Sequence, residues 1–466
     1  MQLVIEQLGR LNNVTVDIKP LTVFVGRNNT NKTWAAYALY GLAQSLSSKL
    51  YNWGTFSALS DYLTIPAELL TRISSAAANV FDRQKALAAD APETDVTEIT
   101  VYRQELLENL ELPDPLRFTF NAQALGFLLS IDPALLGDAR VSLECDRRRF
   151  LYDGVNKGIT IKFNRNYRSI QITTFGNPYF SHGIGYSTSP YPLDDDRNLT
   201  RSHILNYVRW LVLGVQGNVV AFPSERKALW TTAKLLAAKE LTNALTVPAK
   251  DFITLTNMLN DRNAMKPQEY SPQLVALMGD KVLEGVLEYE GDPKAKELVY
   301  LGENAPPLPM HSVASMVRSL SGLGIYLQTF GYANIPDLII IDEPEMNAHP
   351  EAQLRIAEYL ACLANQGITI VFTTHSPYIT DHLNSLMEAS SLSAAKQATV
   401  ASQFKLGDQR AFISQDKVAA YWFRDNGTAV PVLNKQERLV EMETFSDTSD
   451  YTANLYAHLL DQNDGK

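Results

Sequence analysis

The feature that most constrains the fold is an unbroken aliphatic run that ends in two adjacent carboxylates, at residues 336–344. Four aliphatic residues (338–341) lead directly to Asp342 and Glu343, and Pro344 ends the pattern. A continuous apolar run bounded by turn residues is typical of a central parallel strand that is buried on both faces. Open α/β sheets bind their ligands beyond the carboxyl ends of such strands. The run therefore predicts an α/β protein with a ligand site at this strand end, and a strand that ends in a solvated acidic turn is the alternative.

A second predicted strand ends in a loop with the residues of a phosphate-binding P-loop. Residues 21–25 are nearly all apolar, Gly26 ends them, and a helix rich in Ala and Leu is predicted over 35–46. In a strand–loop–helix unit of this kind, the loop N–H groups and the helix N-terminus bind phosphate. Lys32 is expected to reach the β- and γ-phosphates and the Thr33 hydroxyl to ligate Mg²⁺; an ordinary βα turn is the alternative. The predicted cofactor-binding residues of the loop are Gly26, Arg27, Asn28, Asn29, Thr30, Asn31, Lys32 and Thr33.

One residue of this loop departs from the usual pattern. The pattern G-x-x-x-x-G-K-[ST] has glycine before the lysine, whereas this chain has Asn31. Asparagine tolerates a left-handed backbone better than most residues, so we expect the loop to form. Its side chain is expected to crowd the phosphates and to slow hydrolysis more than it weakens nucleotide binding.

A third apolar strand, 368–372, is followed shortly by His375. The P-loop, the acidic pair and this histidine occur in an order that suits phosphoryl transfer, which depends on positioning and charge neutralisation. We expect Asp342 to hold Mg²⁺ together with Thr33. We expect Glu343 to orient and deprotonate the attacking water, and His375 to contact the γ-phosphate side as a sensor. The sequence therefore predicts an ATPase with Glu343 and His375 as its catalytic residues.

The bulk composition narrows the class of protein. The chain has 466 residues, of which 45% are hydrophobic, so a globular protein of two or three lobes is expected. A net charge of −10 argues against a general nucleic-acid coat. Cys145 and Cys362 give neither a disulfide framework nor a cysteine metal site. Because we find no signal peptide and no apolar segment long enough to cross a bilayer, we expect a cytoplasmic location and no membrane partner.

Two basic features have more than one interpretation. Arg226 follows a predicted strand at 218–223, where it is placed either to sense phosphate or to pair with Glu225. A separate basic cluster is either the solvated face of a small sheet or a contact for a phosphate backbone or a partner. The cluster consists of Arg147, Arg148, Arg149, Lys157, Lys162, Arg165 and Arg168.

These motifs resemble those of a known group of ATPases. Residues 342–350 (DEPEMNAHP) and 373–377 (TTHSP) are similar to the Walker B/D-loop and the H-loop of ABC-type ATPases. The branch that they most resemble is that of the AAA/OLD-like ATPases related to SMC and RecF heads, and residues 21–29 are also similar to that branch. Residues 314–320 resemble its degenerate signature helix, and residues 222–226 resemble a Pro-x-x-Arg element that is common there.

The resemblance implies a fold, an assembly and a cellular role. The fold is α/β, a P-loop NTPase of ABC/SMC-head type, with a mixed sheet, helices on both of its faces, and inserted helical and small β elements. In this branch ATP lies between two heads, which implies a homodimer or a higher even oligomer in which Ser315 serves the nucleotide of the opposing subunit. The ATPase subunits of the PARIS and Septu anti-phage systems look similar, which implies a separate effector protein encoded nearby and a DNA or phage-protein trigger. About 90 residues follow His375, too few for the TOPRIM nuclease domain of OLD and Gabija proteins together with the remaining ATPase strands.

The predicted organisation is an ATPase core interrupted by insertions. Its parts are the N-terminal core with the P-loop (1–50), an inserted helical and β region (51–217), a core strand (218–228), an inserted helical lobe (229–300), the C-terminal core (301–440) and a tail helix (441–466). The predicted function is that of an ATP-hydrolysing sensor or scaffold subunit in phage defence. The alternatives are a RecF/SMC-like DNA-repair ATPase that binds duplex DNA, and a nucleotide-binding scaffold that hardly hydrolyses because of Asn31.

Overall fold

The computed structural model describes most of the chain that carries the predicted motifs. The described residues are 1–45, 71, 96–102, 116–145, 158–164, 169–175, 184–187, 219–236, 245–260, 272–291, 297–303, 305–330, 338–434, 436, 439–440 and 451–459.

Strands and helices are interspersed along the chain. The first half contains β1 (Gln2–Leu8), β2 (Leu11–Asp17), β3 (Leu21–Gly26), α1 (Lys32–Ser45), β4 (Val96–Tyr102), β5 (Leu116–Asn121), α2 (Ala122–Leu129), β6 (Arg140–Cys145), β7 (Gly158–Asn164), β8 (Ser169–Phe175), β9 (Ile184–Ser187), β10 (Val219–Phe222) and α3 (Arg226–Leu236). The second half contains α4 (Val247–Asn260), α5 (Pro272–Leu277), β11 (Gly285–Glu290), β12 (Glu297–Gly302), β13 (Leu308–Pro309), α6 (Ser315–Phe330), β14 (Leu338–Asp342), α7 (Pro350–Asn365), β15 (Thr369–Thr374), α8 (Pro377–Ser390), α9 (Ala394–Val400), β16 (Val418–Phe423), β17 (Ala429–Pro431), β18 (Leu433–Asn434), β19 (Leu439–Val440) and α10 (451–459).

A six-stranded mixed sheet with the order β10-β14-β15-β3-β16-β17 holds the three predicted site segments. Its first five strands are parallel, and β17 pairs antiparallel with β16. Because β15 lies between β3 and β14, the carboxyl ends of all three strands meet at one edge. In register, Asp342 lies opposite Thr373 and Val25 lies opposite Thr374. The topology therefore brings together the loop after β3, the acidic pair after β14 and the histidine after β15.

Helices cover both faces of this sheet, and the strand residues alternate between the two faces. Phe24, Ile340 and Val371 pack in one apolar cluster with α1. Their neighbours Ile339 and Phe372 pack in a second cluster with α6, α7 and α8. The predicted mixed sheet with helices on both faces is confirmed, and the uninterrupted apolar run of β14 follows from its burial on both sides.

A second, antiparallel sheet with the order β2-β1-β6-β5 packs on the α1 side of the main sheet. It joins the amino-terminal hairpin to strands from 116–145, for example through the pairing of Leu3 with Leu143. The sequence assigned 116–145 to an insertion, whereas these strands complete the sheet that the amino terminus begins. Pairing across more than 100 residues leaves no local pattern, which is why the sequence did not reveal it.

The region 229–300, which the sequence predicted to be an inserted helical lobe, contains strands as well as helices. It contains α4 and α5, but β11 and β12 then form an antiparallel pair. Trp230 and Phe252 pack in the same apolar cluster as the main-sheet residue Val23. The helical part of this region is thus continuous with the core that supports the P-loop strand.

Several other features complete the fold. The predicted hairpin at 425–427 is present between β16 and β17. The strands β4, β7, β8 and β9 form a separate antiparallel sheet that carries Lys162 of the basic cluster, and the other six cluster residues lie outside the described residues. Among the described helices, none is both long and apolar enough to cross a membrane.

Candidate active site

The loop between β3 and α1 has the tight backbone that a phosphate-binding loop requires. Gly26 has a φ of +153°, and a Cβ at this position would lie 2.4 Å from the carbonyl oxygen of Phe423, so only glycine fits. The buried Thr30 hydroxyl donates to the carbonyl of Arg27 at 2.9 Å. Arg27 itself is exposed and lies 3.5 Å from the Asp425 carboxylate. Asn28 and Asn29 are also exposed.

Asn31 takes the left-handed conformation that glycine adopts readily, with a φ of +63°. Its amide oxygen accepts a hydrogen bond from the backbone N–H of Arg10 at 3.1 Å, in the β1–β2 turn. Its Nδ2 is so close to Gly9 that a Cβ there would lie 2.9 Å from it. The side chain that the sequence expected to crowd the phosphates is thus bonded to the neighbouring hairpin turn.

Lys32 begins α1 and is buried, with 5% of its surface exposed. Its Nζ donates to the carbonyl oxygens of Gly26 at 2.9 Å and Arg27 at 2.8 Å. Burial lowers the pKa of Lys32 to about 8, against the opposing effect of the Glu343 and Asp342 charges. The ammonium group is therefore held inside the curve of the loop.

Thr33 and Asp342 meet although they lie 309 positions apart in the chain: the Thr33 hydroxyl donates to Asp342 Oδ1 at 2.9 Å. The hydroxyl of Thr373, at the end of β15, donates to the same oxygen at 2.5 Å. Burial raises the pKa of Asp342, while the two hydroxyl contacts oppose that rise. Two oxygen-bearing side chains from the P-loop and the β14 end are therefore adjacent.

Glu343 and His375 also meet at this edge. His375 Nε2 lies 3.2 Å from Glu343 Oε1, and about a third of each side chain is exposed. The hydrogen bond from His375 is the main cause that lowers the pKa of Glu343. Glu343 has an unusual φ of +49°, and its N–H donates to the Thr373 hydroxyl at 3.1 Å. Non-glycine residues in this conformation cluster at functional sites because the surrounding structure must hold them there.

Glu345 holds the backbone at His375. Its Oε1 accepts from the Thr374 hydroxyl at 2.7 Å and from the backbone N–H of His375 at 2.9 Å. Burial raises the pKa of the Glu345 carboxyl group. The residue therefore links the loop after β14 to the loop after β15.

Among the described residues, Arg226 makes no hydrogen bond or ion pair with Glu225 or with the loop 26–33. It is 1% exposed and donates to four main-chain carbonyl oxygens, two of which belong to Asp342 and Glu343. The next residue, Lys227, donates through Nζ to the Ser315 hydroxyl at 2.9 Å. Ser315, the first residue of α6, is thus connected to the beginning of α3.

The structure collects Lys32, Thr33, Asp342, Glu343 and His375 into one contiguous site. The other predicted loop residues, Gly26 to Asn31, precede Lys32 in the same loop, whereas Ser315 contacts α3. The sequence did not identify two participating residues, which are Thr373 and Glu345. Both lie inside motifs that the sequence singled out, but no local pattern shows that they contact Asp342 and the backbone of His375. Lys227, which contacts Ser315, was not identified either.

Comparisons with known proteins find one family match and several similar solved structures. A model of the AAA ATPase domain family matches residues 253–380, a stretch that includes α6, β14 and β15. No curated protein matches the sequence significantly. Among solved structures, an SMC head bound to the C-winged helix domain of ScpA is similar, with 12% identity, coverage of 93% of this chain and 98% of that chain, and a TM-score of 0.34.

Two further SMC heads are similar at the same level. One, from Pyrococcus furiosus, has an extended coiled coil and is bound to the C-terminal domain of ScpA (11% identity, 92% of this chain and 95% of that chain, TM-score 0.33). The other is the SMC head domain from Thermotoga maritima (9% identity, 92% of this chain and 98% of that chain, TM-score 0.30). The strand order, the loop after β3 and the acidic end of β14 define a mixed α/β fold of P-loop NTPase type. Residues 253–380 are similar to AAA ATPase domains.

Proposed function

We propose that the protein hydrolyses ATP to ADP and phosphate with Mg²⁺, at the site formed by the ends of β3, β14 and β15. The observation that carries the proposal is the contact between the Thr33 hydroxyl and the Asp342 carboxylate. It joins a glycine-dependent loop that ends in Lys-Thr to the acidic end of a buried parallel strand. The alternative, a solvated acidic turn, does not account for this contact.

Each side chain has a role that its surroundings support. The N–H groups of loop 26–33 and the buried ammonium of Lys32 bind the phosphates. Glu343 keeps a low pKa, so it is ionised at neutral pH and accepts a hydrogen bond from the attacking water. His375, next to Glu343, senses the γ-phosphate.

The donor set at the site fits Mg²⁺. Thr33 Oγ1 and Asp342 Oδ1 are hard oxygen ligands at the phosphate-binding loop, and Mg²⁺ takes only one or two protein ligands in nucleotide sites. Bound Mg²⁺ would neutralise phosphate charge.

We further propose that ATP is bound between two copies of the chain. Ser315 lies at the beginning of α6 and bonds to Lys227 rather than to the P-loop of its own chain. This placement is consistent with a hydroxyl that serves the nucleotide of a second copy. The finer role, a cytoplasmic sensor or scaffold that works with a separate effector in phage defence, follows from the sequence resemblance alone.

The test measures phosphate release and self-association by the parent protein. We expect turnover that requires Mg²⁺ and stops with EDTA, and a mass that doubles, or rises to a higher even multiple, when a non-hydrolysable ATP analogue is added. Light scattering after size-exclusion chromatography measures that mass. Absence of both nucleotide binding and turnover contradicts the proposal.

The second candidate function, a DNA-repair ATPase, rests on the basic cluster of residues 147–168. It predicts salt-sensitive binding to duplex DNA that is lost when the arginines at 147–149 are replaced by alanine. A competition assay with labelled duplex at several salt concentrations separates the two. Strong binding that depends on these arginines favours the DNA-repair function, and weak binding that does not depend on them favours the sensor.

Asn31→Gly is expected to change kcat by about twofold or less. The reason is that Asn31 already has the backbone conformation of glycine and its side chain is bonded to Arg10. The matched control is Asn13→Gly, which also has a positive φ (+50°) and is exposed on β2. A many-fold rise in turnover for Asn31→Gly alone supports the alternative of an impaired, scaffold-like ATPase.

A further inference from the structure

Arg226 has surroundings that are unusual for a charged residue. It is 1% exposed, among the largest fully buried side chains in the described chain, and a buried guanidinium ordinarily pairs with a carboxylate. Here Nε donates to Ser319 O at 2.9 Å, Nη1 to Asp342 O at 2.6 Å and Pro223 O at 3.0 Å, and Nη2 to Glu343 O at 2.8 Å. All four of these acceptors are main-chain carbonyl oxygens.

These four carbonyls come from three different parts of the site. Pro223 belongs to the turn before α3, and Asp342 and Glu343 form the end of β14. Ser319 lies on α6, about one helical turn after Ser315. Because the guanidinium group is planar and holds its donors in a fixed fork, it fixes the distance and the direction between α6 and the β14 end. A flexible lysine ammonium cannot reproduce this geometry.

The contact with Glu343 has a specific consequence for that residue. Its φ of +49° lies in the left-handed region, which a residue with a side chain occupies only when its neighbours hold it. Its N–H is held by the Thr373 hydroxyl on one side, and its carbonyl by Arg226 on the other. The direction in which the Glu343 carboxylate points therefore depends on Arg226.

Lys227 adds a second link to α6. Its Nζ donates to Ser315 Oγ at 2.9 Å, one helical turn from the carbonyl that Arg226 holds. Two successive residues thus bind α6 at its beginning and one turn further along. The beginning of α6 is the part that carries the proposed contact to the nucleotide of a second copy.

We propose that Arg226 is a positioning residue that couples α6 to Glu343, so that docking of a second copy against Ser315 sets the orientation of the catalytic carboxylate. This inference rests on the proposed ATPase function and goes beyond it, because it assigns the link between self-association and chemistry. Arg226 acts through Glu343, because its guanidinium group donates to main-chain carbonyl oxygens, including that of Glu343. Loss of the link slows the chemical step and leaves ATP binding intact, since Lys32 and its loop make none of these contacts.

The test is Arg226→Lys, which keeps the positive charge and loses the fork. We expect kcat to fall on the order of 10- to 100-fold, because small misplacement of a catalytic group has effects of that size, with no change in ATP affinity. The matched control is Arg355→Lys, an arginine that donates to the Lys281 carbonyl and to two surface carboxylates, and it is expected to retain parent kcat. If Arg226 only supports the fold, Arg226→Lys should lower the ATP affinity and the melting temperature together with kcat. That outcome overturns the proposal.

A double-mutant cycle tests the coupling itself. Ser315→Ala is expected to lower kcat in the parent background and to have little further effect in Arg226→Lys, because the link is already broken. Additive effects overturn the coupling. If Arg226→Lys does not fold, Lys227→Met tests the link from a partly exposed position. A lower kcat at unchanged ATP affinity then supports the proposal, and an unchanged kcat overturns it.

These outcomes are distinguishable from failure of the proposed function. If the parent protein shows Mg²⁺-dependent turnover and Arg226→Lys turns over equally fast, only the coupling is wrong. If the parent protein neither binds ATP nor hydrolyses it, the ATPase proposal is wrong and the coupling falls with it.

Discussion

Glu343→Gln is expected to bind ATP like the parent protein and to hydrolyse it about 10²- to 10⁴-fold more slowly, the range typical for loss of a general base. The substitution replaces one carboxylate oxygen by an amide of nearly the same size. The main-chain contacts of Glu343 with Arg226 and Thr373 do not involve its side chain, so the loop after β14 keeps its course. The variant therefore removes the acceptor for the proton of water and little else.

The same variant is expected to accumulate as a dimer or higher even oligomer when ATP is added. If ATP holds two copies together and hydrolysis releases them, blocking hydrolysis keeps the assembly intact. Light scattering with ATP and Mg²⁺ measures this, beside phosphate release and binding of a fluorescent ATP analogue. Glu351→Gln, at an exposed glutamate in the first turn of α7, is the control and should behave like the parent.

Two results contradict the assignment of Glu343. Parent-like turnover in Glu343→Gln shows that another group activates the water. Loss of ATP binding in the same variant shows that Glu343 acts in binding or in local structure. His375 is the first group to examine in either case, since it is the side chain that contacts Glu343.

The part of the site that the sequence predicts is the part built from short, contiguous patterns. The apolar run before Asp342 was predictable because a buried strand excludes polar residues. The loop that ends in Lys32 and Thr33 was predictable because a phosphate-binding loop requires a tight turn. The side-by-side placement of the three strand ends follows from the parallel order of the sheet. The fold class was predictable on the same basis.

The parts that the sequence does not predict depend on contacts between distant segments. The carbonyl contacts of Arg226 involve main-chain atoms, so no residue type at the other end reveals them. The pairing of β1 with β6 is not predicted either, because the two strands lie more than 100 residues apart in the chain. Asn31 illustrates a third case: its identity suggested crowding, whereas its partner in the Gly9–Arg10 turn lies outside the motif. Motifs therefore predicted which residues meet, and packing determines how they are held.

Lys32→Ala is expected to weaken ATP binding by at least about 100-fold, because charge-assisted hydrogen bonds contribute about 1.5–3 kcal/mol each and the ammonium serves more than one phosphate oxygen. In the structure the ammonium is buried and held by the carbonyls of Gly26 and Arg27, inside the loop that receives the phosphates. Titration with a fluorescent ATP analogue measures the dissociation constant, and turnover should disappear with binding.

Two further variants separate lost charge from a collapsed loop. Lys32→Met keeps the aliphatic stem in the buried position, and we expect it to lose ATP affinity as Lys32→Ala does, with the melting temperature of the parent. Lys19→Ala removes a lysine just before the same strand, where Nζ donates to the Asp416 carbonyl, and should bind ATP normally. An affinity of Lys32→Met equal to that of the parent shows that the ammonium is not the phosphate-binding group. Because the loop, the metal ligands and Glu343 are all defined relative to those phosphates, the proposed site then has to be abandoned as a whole.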